Sequence, residues 1–582
     1  MWKKILLSIA LVGWLVGCDN SQLTGATPGT SITAEDLALS VSVSSTKTLN
    51  FSWANASADD YVLCKDNAGT CEQVAVINPS NALTTTRVLD TFDDESAINP
   101  LESPLSYTLY LDTLIPASDE DGYYVQARIN SETVDGEILQ VVYKSFDTII
   151  GHYEPQNPAI GQNHGHVMAV SGDGLTMIIS TLISSDPDVN SGEVIVYRRG
   201  DDGWAQQTLL TSSVPASDPT TGFGFDLDIN DDGTVIVIGA WKQTISATTN
   251  AGAAYIFTLS GTTWSNTSVI ENPAPTTSDF FASSVSISGD GTVLAIGAYN
   301  EDSDGTTITN TLPANDLAPN SGSVYLYKHN SGTWDFEWRF KASNADNSDL
   351  FGRKVRLNKL GDVLLATATG EDSYTGAPTD DSVFNVGAAY VYREQPNNTW
   401  LEEGYLKSTF PIEFSGFGNA AAISHTGDII AIGVSNESDV ASTDNTGLDL
   451  MGAVHLWHYD GSNWLHHARL VASNAEDGDA FGTSVAIGNN GNWLAVGAQY
   501  EDASSSGIDP SDNGNTANNA GAAYIFELNG SWLQTHYLKS PNTEDVSYFG
   551  KAIAFSALQK ELLISAPSAP INDVKSGVVY LF

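Results

Sequence analysis

From His164 to Phe582 the chain alternates short apolar runs with turns of glycine, asparagine and aspartate, and the same order of runs returns seven times. The clearest copy begins Phe481-Gly482-Thr-Ser-Val-Ala-Ile, turns through Gly-Asn-Asn-Gly and resumes at Leu494-Ala-Val-Gly-Ala498. A variable loop follows, then Gly521-Ala-Ala-Tyr-Ile-Phe526 and a run opening at Trp532. Runs this short, rich in β-branched and aromatic residues and bounded by turn residues, predict strands, four to a unit. One such unit cannot bury its apolar face alone, so the units must stack on one another.

The opening position recurs at His164-Gly165, Phe223-Gly224, Phe281-Ala282, Phe351-Gly352, Phe417-Gly418, Phe481-Gly482 and Phe549-Gly550, spaced 58 to 70 residues apart. The third strand opens with glycine, as in Gly252 to Phe257 and Gly322 to Tyr327. The fourth starts at Trp204, Trp264, Trp334, Trp400, Trp464 and Trp532. This pattern is similar to the FG-GAP repeat, the blade unit of the integrin α-subunit propeller, and is nearest to its bacterial variant with a Leu-Ala-Val-Gly-Ala second strand. Four short strands per unit, repeated radially with protected edges, describe a β-propeller on physical grounds as well. The repeat aromatics are expected to wedge between neighbouring blades. One strand is missing, because nothing follows Phe582 in the last unit. The segment from Val141 to Tyr153 is expected to supply it beside Gly577–Phe582 and so close the ring.

The residues before the repeats read differently. Lys3 and Lys4, an apolar run from Ile5 to Val16, and Leu15-Val16-Gly17-Cys18 resemble a bacterial lipoprotein signal with its lipobox. Residues 1–18 are then the signal, with Cys18 the lipidated residue, and the Ser-, Thr- and Gly-rich residues 19–34 form a tether. Over 35–142, short runs such as Leu49–Trp53, Ser106–Leu111 and Tyr123–Arg128 suggest a small β-sandwich. The placing of its Trp and Tyr resembles a fibronectin type III domain. The expected fold is therefore all-β: a small Ig/fibronectin type III-like β-sandwich over 35–142, then a seven-bladed β-propeller over 143–582. Of three cysteines, Cys64 and Cys71 remain once Cys18 is lipidated, and the Asp-Asn-Ala-Gly turn between them favours a disulfide across a hairpin.

Charge narrows the partners. With 24 Lys+Arg against 70 Asp+Glu the net charge is −46, which disfavours nucleic acid and anionic lipid surfaces. Membrane association is expected only through the N-terminal lipid, in the bacterial cell envelope, with the protein a monomer. The acids gather in the loops between second and third strands of repeats 3 to 6, each carrying four acids and no Lys or Arg. They are Glu301, Asp302, Asp304 and Asp316; Glu371, Asp372, Asp380 and Asp381; Glu437, Asp439, Asp444 and Asp449; Glu501, Asp502, Asp509 and Asp512. Equivalent loops emerge on one face, which the resemblance makes the ligand-facing surface. Crowded carboxylates repel unless a cation relieves them, and oxygen-rich loops suit Ca²⁺. A calcium-ordered acidic face is one expectation; a hydrated acidic rim is the other.

The integrin-type Asp-x-Asp-x-Asp-Gly loop is largely absent, and its nearest echo, Asp226-Leu-Asp228-Ile-Asn230, falls within a predicted strand. Five of ten histidines, His425, His455, His458, His466 and His467, lie in repeat 5, where packing explains His455 better than a metal does. No nucleophile elbow, His-Glu-x-x-His, Cys-x-x-Cys or P-loop is present. The leading expectation is a binding or adhesion protein that presents its acidic face to a protein or glycan, with or without Ca²⁺. An enzyme cleaving polysaccharide or peptide with a carboxylate pair in the central funnel, and an envelope scaffold without ligand, are the alternatives.

Overall fold

The structure is a computed structural model. It describes residues 151–582 apart from 156, 183–191, 201–202, 214–220, 314, 374–381, 439–449, 511–513, 557–560 and 572–573, and before residue 151 the backbone of eight strands. The chain divides into two compact units.

The larger unit holds seven four-stranded sheets. Blade 3 shows the plan: Phe281–Ile287, Val293–Ala298, Ser323–Asn330 and Thr333–Phe340 run antiparallel in sequence order. Blades 1, 2, 4, 5 and 6 repeat this order. The second strand is buried along its whole length in blades 1, 3 and 4. That explains its unbroken apolar sequence, since it packs on both faces. The fourth strand is exposed or half-buried over most of its length and buried only at its end, as an outer edge should be.

The recurring Phe-Gly has two mechanical roles. Phe351 is fully buried, and its backbone N–H donates to the Ser321 carbonyl of the preceding blade at 3.0 Å. Its ring packs with Tyr390 of its own blade and with Val324 and Phe340 of blade 3, so it wedges between blades as expected. Gly352 follows at φ 88°, where the first strand bulges against the second. A side chain there would be strained in that left-handed conformation. The glycine opening the third strand, Gly322, lies so close to Phe351 that a Cβ would collide with its carbonyl oxygen. Blade-to-blade spacing thus depends on that missing atom.

The ring closes across the ends of the propeller. Blade 7 contains Ile553–Phe555, Leu562–Ala566 and Val578–Leu581, and its fourth strand is Gly151–Tyr153, antiparallel to Val578–Leu581. Tyr153 meets Tyr197 of blade 1 edge-on at 5.1 Å, and Met168 and Met177 of blade 1 pack with Leu563 and Val579 of blade 7. The strand missing from the last repeat is the one supplied from before the first.

Before residue 151 the strands form two sheets. One has the order Ser40–Ser45, Thr48–Trp53, Leu105–Tyr110. In the other, Thr70–Ile77, Asp60–Asn67, Glu120–Ile129 and Glu132–Asp135 lie side by side, and Leu139–Val142 also pairs with Glu120–Ile129. Asp60–Asn67 and Thr70–Ile77 form the expected hairpin, with Cys64 opposite Gln73 and Cys71 opposite Asp66. Cys18 and the tether lie outside the described residues.

Candidate functional site

In a four-stranded antiparallel blade the second-to-third loop and the entry to the first strand share one end, here the loop face. The acids of repeats 3 to 6 root there, but their leading members do not face solvent. Glu301, Glu371, Glu437 and Glu501 are buried, each no more than 3% exposed. Each meets a cation from the end of its own blade's fourth strand. Glu301 Oε2 lies 3.1 Å from Lys341 Nζ, with Arg339 at 3.7 Å. Lys407 pairs with Glu371 and Lys539 with Glu501. In blade 5 Arg469 takes this role at 2.5 Å, and His455 adds a contact at 2.9 Å.

Burial opposes ionisation of Glu301, but Lys341, the Ser323 and Ser303 hydroxyls and Arg339 together outweigh it and hold the carboxyl below its usual range. Glu437 is lowered in the same way, with His455 and Arg469 overcoming burial. Blade 2 carries neutral Gln243 at this position, accepting a hydrogen bond from the Tyr255 hydroxyl at 2.7 Å. The expectation that these four glutamates present carboxylates to a ligand is therefore corrected: each is the anionic half of a buried pair that ties a loop root to its blade.

The second acid of each root is also structural. Asp302 accepts from the Asn320 N–H at 2.8 Å, Asp372 from Asn385 at 2.7 Å and Asp502 from Asn519 at 2.6 Å, which pins the returning end of each loop. Asp304 and Asp316 are exposed, with Asp304 accepting from the Asn315 side chain at 2.9 Å. Asp509 pairs with His536 at 2.8 Å. Asp380, Asp381, Asp439, Asp444, Asp449 and Asp512 lie outside the described residues. Among the described residues no group of three or more His, Cys, Asp or Glu is placed to hold a metal ion.

Sequence reading did not single out three further acids beside these roots. Asp279, Asp349 and Asp479 occupy the turn before the first strand of blades 3, 4 and 6, each accepting a backbone N–H at 2.7 to 2.8 Å. Burial raises Asp349 to about 8, with Glu371, Asp346 and Asp372 adding repulsion. Asp279 rises to about 6 and Asp479 to about 7, again mainly through burial.

Blade 5 does bring histidines together. His455 Nδ1 lies 3.1 Å from His466 Nε2, while His458 and His467 meet on the outer side with ring centroids 6.4 Å apart. His455 fills the position of the usual buried tyrosine, as expected, and is itself fully buried.

The funnel is lined by the first strands. Asp226 and Asp228 lie in Phe223–Ile229, so their calcium-like spacing is indeed that of a strand. Asp226 Oδ2 accepts from Ser284 Oγ at 2.8 Å and Val285 N at 3.1 Å, and Asp228 Oδ2 accepts from Ser286 Oγ at 3.0 Å and Ile287 N at 2.9 Å. Ser284 and Ser286 in turn accept from Val355 N and Leu357 N of blade 4. Three inner strands are stitched by side chains in this way. Burial works against the Asp226 charge, yet Arg356, Lys354 and the Ser284 and Val285 donors overcome it and lower its pKa. A general acid needs the opposite shift, so the pair expected of a funnel enzyme does not fit Asp226.

At the far mouth the turns of blades 1 to 5 link through backbone bonds, Asp173 to Asp231, Asp231 to Gly289, Gly289 to Lys359 and Lys359 to His425. A cavity of about 340 Å³ opens there, lined by Gly172, Asp173, Asp231, Asp232, His425 and Asn489. Lys359 and Asp231 pair beside it at 3.1 Å.

The loop-side mouth has a different surface. Phe225 meets Trp241 with centroids 4.5 Å apart, Trp241 meets Phe280 at 4.6 Å, and Phe280 meets Tyr299 at 5.4 Å. His166 extends the arc from blade 1, 5.4 Å from Phe225, and Arg353 of blade 4 caps Tyr299 at 4.7 Å. All four aromatic residues are half-buried, so the arc is neither core nor isolated surface residues. Phe280 holds φ 55°, as do its counterparts Leu350 at 61° and Tyr548 at 58°. The fold therefore turns this side chain outward in several blades, and blades 2 and 3 place aromatics around it.

The FG-GAP repeat family profile matches residues 204–257, 264–327 and 464–526. No curated protein matches the chain. Among solved structures, the RRP9 WD40 repeats align at 10% identity and a TM-score of 0.42, covering 74% of this chain and 96% of theirs. The periplasmic gluconolactonase PpgL of Pseudomonas aeruginosa aligns at 11% identity and 0.40, covering 75% and 96%. The chain carries FG-GAP repeats, folded as a seven-bladed β-propeller.

Proposed function

We propose that this protein is a ligand-binding, adhesion-type protein of the bacterial envelope, held to a membrane by lipid on Cys18. A fibronectin type III-like sandwich over residues 35–142, with a Cys64–Cys71 disulfide, spaces the propeller from its anchor. The ligand is a protein or glycan and sits on the loop face at the funnel mouth. One observation carries this reading: a continuous, half-exposed arc of four aromatic rings on that rim. Aromatic side chains that are neither buried nor scattered mark binding surfaces, because their faces gain by losing water. Calcium is not required by it, because the glutamates at the loop roots already have cationic partners.

The test is to probe arrayed glycans and envelope proteins with the full chain and with a Trp241→Ala/Tyr299→Ala double variant. The parent is expected to retain at least one ligand that the variant loses. Identical binding profiles would contradict the reading.

A further inference from the structure

The chain has few cations, 24 Lys+Arg against 70 Asp+Glu, so where they gather is informative. The residue after each Phe-Gly rings the funnel mouth. Going round the blades it is His166, Phe225, Ser283, Arg353, Asn419, Thr483 and Lys551. Blade 4 adds Lys354 and Arg356 on the same strand, Phe351–Leu357. Blade 4 and blade 7 are not neighbours, so their inner strands approach only across the funnel axis. Their charges nonetheless act on one another. Burial pushes Lys354 down to about 8 with Arg356, Arg353 and Lys551 adding to it, against the pull of Asp226.

The cations differ in their partners. Arg356 pairs with Asp226 at 3.4 Å and donates to the Val355 carbonyl at 2.8 Å. Asp226 is further held by Ser284 and Val285. Among the described residues the ammonium groups of Lys354 and Lys551 have neither a hydrogen bond nor an ion pair, although both side chains are half-buried. Arg353 lies over the face of Tyr299 at 4.7 Å and its charge and hydrogen bond act on the Tyr299 hydroxyl. Burial, then Lys551 and Lys354, push His166 down to about 4, so its imidazole is neutral and can share hydrogen bonds with hydroxyls. A half-buried ammonium without a partner gains most from an anion brought by a ligand.

These groups adjoin the aromatic arc through His166–Phe225 on one side and Arg353–Tyr299 on the other. Lys242, 4.5 Å over the Trp241 ring, adds another positive charge to the arc itself. Ring faces suit the apolar C–H face of a pyranose, and ammonium groups suit its acid substituents. Long phosphate backbones are disfavoured by the overall charge of −46, whereas a short chain reaching into a cationic mouth is not.

We propose that the loop-side funnel mouth binds an acidic saccharide, its sugar rings on Phe225, Trp241, Phe280 and Tyr299 and its carboxylate or sulfate groups on Lys354, Lys551 and Arg353. The proposal rests on the binding reading above and gives it a ligand class.

The experiment is calorimetry and tryptophan fluorescence on the full chain with three probes of similar length: an oligogalacturonate, a sulfated carrageenan oligomer and an uncharged cello-oligosaccharide. Either acidic probe should bind saturably, and which one binds tells carboxylate from sulfate. The neutral probe should be at least about tenfold weaker. Trp241→Ala and Lys551→Met should each weaken acidic binding by about tenfold or more, while Lys551→Met melts like the parent. Equal affinity for the neutral probe, or acidic binding unchanged in both variants, would overturn the proposal. So would binding of none of the three probes. If another arrayed ligand still depended on Trp241, the binding reading would stand and only the saccharide class would fall.

Discussion

Lys341 and Lys354 lie thirteen residues apart in the sequence and do opposite things in the fold. Lys341 is fully buried at the end of blade 3, where its ammonium donates to Glu301 Oε2 at 3.1 Å, the Ser303 carbonyl at 2.7 Å and Ser321 Oγ at 2.7 Å. Lys354 is half-buried in the funnel, with no such donor contact among the described residues. The same division runs through the propeller. At the loop roots, charge is matched inside each blade and ties a loop down. At the funnel mouth, positive charge from two distant blades converges beside Asp226, which Arg356 already engages, and the Lys354 and Lys551 ammonium groups have no ion pair among the described residues. Acids that dominate the sequence are thus largely structural at their bases, and the scarce cations carry the chemical asymmetry.

The strongest way to break this comparison is to remove a root cation. Lys341→Met leaves Glu301 buried without its main partner and is expected to lose about 3–5 kcal/mol of stability, measured by denaturant unfolding. Adding Glu301→Gln should restore most of it, because blade 2 folds with Gln243 in that place. A mild effect of the single variant would mean that the root pairs do not tie the loops.

Protonation sharpens the root side. Asp349 is raised to about 8 in the fold, against about 3.9 for an unperturbed aspartate. The folded state therefore holds a proton that the unfolded state has lost, and stability falls as pH rises from about 4 through 8. Asp349→Asn keeps an acceptor for the Asp346 N–H and removes that dependence. Its melting temperature should match the parent at or below about pH 4 and exceed it by roughly 2 °C or more near pH 9. A difference of the opposite sign would place Asp349 in an ionised, paired state.

The smallest expected effect is that of calcium. With the glutamates already paired and Asp302, Asp372 and Asp502 holding backbone N–H groups, titrating calcium after chelation should leave the melting temperature unchanged. A saturable rise specific to calcium would show that the outer loop acids bind it.

The sequence displays its blades because the residues that set them have few substitutes, Ala282 at φ 64° being the one replacement of the Phe-Gly glycine. Gly352 needs its left-handed φ and Gly322 its missing Cβ, so both recur and can be read. The closing strand was legible by counting, since one unit lacked a partner for Val578–Leu581. The roots were half legible. The recurring Glu-Asp pair is visible, but the partner of Glu301 is Lys341, forty residues on, and only the blade fold joins them. A lysine directly after the apolar residue that ends the fourth strand, as in Phe340-Lys341, Leu406-Lys407 and Leu538-Lys539, was the available signal. The aromatic arc was hidden more deeply. Phe225, Trp241, Phe280 and Tyr299 occupy three different positions of the repeat in two blades, and only radial stacking turns them into one surface. Their mark in the sequence is contrast: Trp241 and Tyr299 stand where other repeats have Thr369 and Ser435.

The central claim, that the funnel cations serve binding while the root cations serve the fold, is tested most directly by melting Lys354→Met and Lys551→Met with and without the acidic oligosaccharide. Without ligand, both are expected to melt close to the parent temperature, because Asp226 keeps Arg356, Ser284 and Val285 when Lys354 is removed and burial no longer opposes a charge. With ligand, the parent should be stabilised and the two variants should not. Melting temperatures that fall as for Lys341→Met, or variants stabilised as fully as the parent, would contradict it.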